Sequence, residues 1–205
     1  MGRFIALSGI LVLAAVVSAG CWGRGPSRVV APEINPSAAA AAALEQYDTN
    51  KDGKIEGSEL DAAPGLKAAL SRINPGGKSV DAAQIAARIQ KWKDSRVGRT
   101  SVACTITRKG RPLAGAKVTL VPEKFLGQNL PVCTGVSDDS GSCSISAPTT
   151  GPTDPPGVPP GIYLVQITKD GDNIPERYNT KTTLGMEVAL DAEGMEAGYR
   201  FDLNY

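Results

Sequence analysis

Asp48-Thr49-Asn50-Lys51-Asp52-Gly53-Lys54-Ile55-Glu56-Gly57-Ser58-Glu59 sets oxygen-bearing side chains at alternate steps and closes on a distant carboxylate. Counted from Asp48, donors stand at positions 1, 3 and 5: Asp48, Asn50 and Asp52. Gly53 at position 6 allows a turn too sharp for a Cβ, and Lys54 at position 7 offers its backbone carbonyl. Glu56 at position 9 acts directly or through water, and Glu59 at position 12 supplies two oxygens. Ca²⁺ takes about six to eight hard oxygen ligands, and this spacing wraps such a set round one point. Mg²⁺ is disfavoured because it demands strict octahedral geometry and keeps several waters.

Helical periodicity flanks the loop on both sides. Ala40, Ala43, Leu44 and Tyr47 fall on one face of a helix that ends at the loop, with Ser37 as its expected N-cap before an alanine run. Leu66, Ala69, Leu70 and Ile73 repeat the pattern, as do Ala82, Ile85, Ile89 and Trp92 behind a capping box of Asp81 and Gln84. Pro64-Gly65 and Pro75-Gly76-Gly77 separate the helices. Residues 37–97 therefore read as a small helical module.

Helix, twelve-residue loop and helix together resemble the EF-hand, including the apolar Ile55 at position 8. The resemblance implies a Ca²⁺ site formed by Asp48, Asn50, Asp52, Lys54, Glu56 and Glu59. EF-hands usually pair, and Asn74 to Gln84 is the candidate partner, with Val80 matching Ile55 and Asp81 and Gln84 matching Glu56 and Glu59. It lacks the early carboxylates, so it reads either as a degenerate, calcium-free hand or as a plain helical turn. The compact pair also resembles dockerins, although its second loop lacks their ligands.

From Arg99 the period changes to two. Val102, Cys104 and Ile106 alternate with polar residues, as do Val118 and Leu120. Ile162 and Leu164 do so too, with Val165 and Ile167 suggesting a shifted face. Glycine and proline cluster between the runs, at Lys109-Gly110-Arg111-Pro112, Asp138-Asp139-Ser140-Gly141 and Pro148 to Gly161, as in an all-β sandwich. The expected fold class is α+β in separate modules: helical residues 37–97, then a sandwich over 98–205, hinged near Gly98. Asp170-Gly171-Asp172-Asn173 reads as a turn, since Lys181 stands where a twelfth-position ligand would be needed.

Thr105 to Leu120, with Gly110-Arg111-Pro112-Leu113-Ala114-Gly115-Ala116-Lys117-Val118 at its centre, resembles the opening hairpin of carboxypeptidase-regulatory-like domains. Those are transthyretin-like or Ig-like sandwiches. A second turn, Ser137 to Ser142, and Pro160 to Val165 extend the resemblance, and Ile174 to Val188 resembles the tail of envelope lipoproteins that carry this domain; the whole covers roughly residues 102–203 and implies fold rather than chemistry. If the second hairpin turns at Asp138 to Gly141, Cys143 lies opposite Val136, on the Val132/Thr134/Val136 face, with Cys133 on the other face and Cys104 in the core. A Cys104–Cys143 bridge and three reduced thiols both remain open.

At the N-terminus Arg3 precedes a 14-residue apolar stretch, Phe4 to Val17, short for a membrane span of about 20 residues but suited to a secretory signal. Ser18-Ala19-Gly20-Cys21 resembles a bacterial lipobox, which implies a signal peptide over 1–20, lipidation of Cys21 and a tether over 21–36; a plain cleaved signal with an incidental Cys21 is the alternative. Without Arg3 the 22 basic residues become 21 and balance the 21 acidic ones, which argues against nucleic acid as a partner. The chain has no histidine, so a Ser-His-Asp triad, a Cys-His pair and a histidine-ligated zinc are excluded. The expected protein is a non-enzymatic, lipid-anchored, extracytoplasmic calcium binder of the bacterial cell envelope. Its partners are the membrane and an envelope protein or glycan. A calcium-dependent adhesion or docking module is the alternative, and an extracytoplasmic hydrolase using acidic residues a minor one.

Overall fold

The computed structural model describes residues 33–149, 151 and 154–205. The expected signal peptide, Cys21 and most of the expected tether lie outside those residues. No described helix is long and apolar enough to cross a membrane.

The first helix, α1 (Pro36–Tyr47), is capped by Asn35, whose side chain accepts from the Ala38 amide at 3.0 Å. Ser37 is thus not the cap: Pro36 takes the first helical position, where a missing N–H costs nothing, and hands the capping role to the residue before it. Ile34 is buried among the helices, so the helical layer begins just ahead of α1. The loop leads into β1 (Lys54–Glu56) and the short α2 (Ser58–Ala62), which Pro64 separates from α3 (Pro64–Ile73). β2 (Ser79–Asp81) pairs antiparallel with β1, setting Ile55 directly opposite Val80, both fully buried. α4 (Ala82–Ser95) starts from the Asp81/Gln84 capping box, with both reciprocal hydrogen bonds formed.

Two four-stranded sheets follow, and the whole is a sheet-rich α+β arrangement. In the first, β3 (Val102–Arg108) pairs in parallel with β10 (Tyr199–Leu203) and antiparallel with both β4 (Arg111–Pro112) and β7 (Ser142–Ile145). The second has the order β6-β5-β8-β9, from β5 (Lys117–Pro122), β6 (Cys133–Val136), β8 (Gly161–Thr168) and β9 (Gly185–Val188). Ile106, Val118, Leu120, Tyr163, Val165, Ile167 and Leu203 belong to one apolar cluster formed within the β half, an arrangement consistent with a sandwich.

β8 corrects one expectation. Tyr163, Val165 and Ile167 face that core, whereas Ile162 is buried on the opposite side among the helices. The apolar run Ile162 to Ile167 therefore marks a strand covered on both faces, not a shift of face. The helices supply the second cover. Phe125, Leu126, Leu130, Ile162 and Ala189 from the β half join Leu66, Ile85, Ile89 and Trp92 in one buried cluster. Gly185 of β9 lies so close to the Pro64–Gly65 backbone that an added Cβ would overlap the Pro64 carbonyl. The sequence boundary near residue 98 is thus spanned in space by shared apolar packing.

The cysteine faces also differ from expectation. The Asp138 amide donates to the Ser142 carbonyl, and Thr134 bridges to Ser146, so the hairpin loop is the three residues Asp139 to Gly141. Gly141 takes the left-handed conformation, φ 78°, that such a loop requires. This register is one residue removed from the expected one, and a one-residue shift exchanges faces. Val136 is exposed, while Cys143 and Cys133 both lie in the core with Cys104. Cys104 stands directly opposite Cys143 across β3 and β7, and all three described cysteines are free.

Candidate metal site in the Asp48–Glu59 loop

The loop is held by its own carboxylates. Asp48, the C-terminal cap of α1, accepts from the amides of Asp52 (3.2 Å) and Gly53 (2.9 Å). The Asn50 carbonyl oxygen accepts from the Asp52 amide, and Asp52 accepts from the Lys54 amide, each at 2.9 Å. Gly53 has φ 86°, the left-handed turn expected at position 6, and Lys51 is left-handed at φ 60°. These hydrogen bonds turn Asp48, Asn50 and Asp52 onto the inside of one bend.

Glu59 reaches back into the same bend from the first turn of α2. Its Oε1 accepts from the Thr49 amide and hydroxyl, both at 2.8 Å, and from the Asn50 amide at 3.2 Å. Its Oε2 accepts from the Glu56 amide at 3.2 Å. The Thr49 hydroxyl, with these amides, holds the Glu59 carboxyl below the usual range, so it is ionised at neutral pH. Glu59 is buried, whereas the Glu56 side chain is exposed at the rim.

The donor set fits a hard divalent cation in type and in spacing. Asp48, Asn50, Asp52 and Glu59 are oxygen donors carried on one loop; Asp48, Asn50 and Asp52 retain lone pairs beyond those their hydrogen bonds use, whereas Glu59 already accepts four hydrogen bonds. Glu56 and the Lys54 carbonyl would complete the shell. Glu59 spends its oxygens on loop amides, and among the described residues no three Asp, Glu, Cys or His side chains converge as a ready metal cluster. Thr49, which positions Glu59 through both amide and hydroxyl, was not singled out by spacing because position 2 carries no ligand requirement.

The base of the loop is tied to the β half. The Tyr47 hydroxyl donates to Glu123 Oε2 at 2.8 Å, and the Tyr47 ring meets Phe125 edge-on at 6.5 Å. Glu123 is 1% exposed, with Oε1 beside Gly65 at the start of α3, and burial pushes its carboxyl up. Nearby, Arg88 of α4 donates to Glu187 Oε1 at 2.5 Å and forks onto both oxygens of Asp191 at 2.9 Å. Trp92 Nε1 also donates to Glu187 Oε1. Burial pushes Glu187 up while Arg88 pulls it the other way; the Arg88 hydrogen bonds hold Asp191 far below its usual range. One signal for this cluster was legible: Arg88 falls on the Ile85/Ile89/Trp92 stripe, where a charge needs a buried partner.

No family model matches the chain, and no curated protein matches it. Among solved structures, chlorocatechol 1,2-dioxygenase from Pseudomonas putida aligns over 80% of this chain and 93% of its own, at 14% identity and a TM-score of 0.26.

Proposed function

We propose that the chain is a calcium-binding lipoprotein of the bacterial cell envelope, held to a membrane through lipid on Cys21, with a non-enzymatic structural or recognition role. The observation that carries the calcium reading is the conformation of the loop, in which Asp48, Asn50 and Asp52 accept from loop amides and Glu59 folds back from α2 onto Thr49 and Asn50. In this reading helix, loop and helix form an EF-hand, and Asn74 to Gln84 is its degenerate partner. The Ile55–Val80 pairing supports that partnership, since it joins the two position-8 residues. The two β sheets are read as a carboxypeptidase-regulatory-like, transthyretin-like sandwich that presents the calcium module outside the membrane.

Calcium binding only to the folded chain raises stability by about 2.7 kcal/mol at a hundredfold excess over Kd. Thermal melts with and without calcium test the ion: the melt should rise with calcium in the wild type and stay fixed in Glu59→Gln. Labelled fatty acid should enter the wild type and not Cys21→Ala. Equal labelling of both would remove the anchor.

A further inference from the structure

The β3–β4 hairpin carries a charge arrangement that its own folding does not explain. Register sets Arg108 directly opposite Arg111 and Thr107 opposite Pro112, leaving a two-residue turn of Lys109 and Gly110. Both turn residues are left-handed, φ 49° and 74°, as the tightest hairpin turn requires. Like charges directly opposite each other destabilise a strand pair, and here a third cation sits at the tip. Asp172 answers Arg108, at 2.7 Å, and the Tyr205 hydroxyl accepts from the same guanidinium at 3.1 Å. Asp202 turns its Oδ1 to the Thr107 hydroxyl and the Gly110 amide. Among the described residues, the side chains of Lys109 and Arg111 have no hydrogen-bond or ion-pair partner. Arg108, Lys109, Arg111, Pro112 and Tyr205 line a cavity of about 590 Å³.

We propose that this cavity binds a phosphate monoester carried on a sugar-sized group. Arg111 and Lys109 supply the unpaired charge, and a guanidinium fork matches two phosphate oxygens. Arg108, already fixed by Asp172 and stacked 5.4 Å from the Tyr205 ring centroid, forms the rigid wall. The Tyr205 and Pro112 rings offer apolar surface to the group bearing the phosphate, and the volume lies within the range of small-molecule sites. The phosphate could arrive on a soluble sugar or on a lipid headgroup; the recognising chemistry is the same.

Calorimetric titration of the full chain tests this with three probes: a hexose phosphate, the same hexose without phosphate, and vesicles with and without phosphatidic acid. Saturable binding of the hexose phosphate, or of the phosphatidate vesicles alone, supports the site and identifies the source. Arg111→Ala and Lys109→Asn, the latter tolerant of the left-handed turn, should each weaken that binding by about tenfold. Lys67→Ala, on an exposed ion pair of the helical half, should leave it unchanged. Glu59→Gln should also leave it unchanged, which separates this site from the calcium loop. No saturable binding of either phosphate probe, equal binding of the plain hexose, or full binding by Arg111→Ala would overturn the proposal.

Discussion

Glu59 and Glu123 are both buried carboxylates, and their surroundings push them in opposite directions. Glu59 meets the Thr49 hydroxyl and three loop amides and stays charged; at Glu123 burial outweighs the Tyr47 hydroxyl, the Gly65 amide and the charge of Lys124, and disfavours the ionised form. The folded chain therefore holds the Glu123 proton to higher pH than the unfolded chain does. Stability from this group is complete below the unfolded pKa and declines as pH rises through the folded one. Glu123→Gln keeps an acceptor for Tyr47 and removes that decline. It is expected to melt above the wild type at about pH 7 and level with it below about pH 4, as read by thermal unfolding at the two pH values. Within the loop, Glu56→Gln should weaken calcium binding less than Glu59→Gln, because the Glu56 side chain is exposed and position 9 commonly acts through water; comparing the two calcium titration curves checks the order.

α3 lies close against the second sheet, because two glycines remove side chains at the contact. A Cβ on Gly185 would overlap the Pro64 carbonyl, and one on Gly65 would fall 2.6 Å from Glu123 Oε1. Gly185→Ala must push α3 off the sheet and is expected to cost about 1–3 kcal/mol in a urea titration. The helices and their breaks were legible because helical spacing and Pro64-Gly65 are local signals, and the Asp81/Gln84 box is complete within four residues. The strands were legible as strands, but not their faces. β8 is apolar on both sides, so alternation could not show that Ile162 and Val165 serve different layers. The Asp138 hairpin hid its register in one residue of loop length, and with it the direction of Cys143. In the Asp48–Glu59 loop the oxygen-bearing side chains and the turn at Gly53 were legible from spacing, whereas the hold of Thr49 on Glu59 was not, since it depends on how α2 folds back.

For the molecule as a whole, the helical layer and the second sheet share a surface of which the sequence carries one local sign, Arg88 on the apolar stripe of α4. Arg88 and Glu187 lie 99 positions apart yet form a buried pair, each about 3% exposed at the side chain. Arg88→Met leaves Glu187 buried without its cation and is expected to cost about 3–5 kcal/mol by chemical denaturation. Adding Glu187→Leu should restore part of that loss, since the orphaned charge is the larger penalty. Cutting the chain at Arg99 would expose Phe125, Leu126, Ile162 and Ala189, now covered by helices. The fragment Arg99–Tyr205 is therefore expected to remain β-rich by circular dichroism but to melt well below the full chain.

The proposed function turns on one ion in one loop. Calorimetric titration of the full chain with calcium tests it most directly, comparing the wild type with Glu59→Gln and Gln84→Glu. The expected result is one calcium per chain, at a Kd between about 10⁻⁵ and 10⁻³ M. Binding should be lost or greatly weakened in Glu59→Gln and unchanged in Gln84→Glu, whose loop lacks early carboxylates. Two calcium ions per chain, no binding at all, or full binding by Glu59→Gln would contradict it.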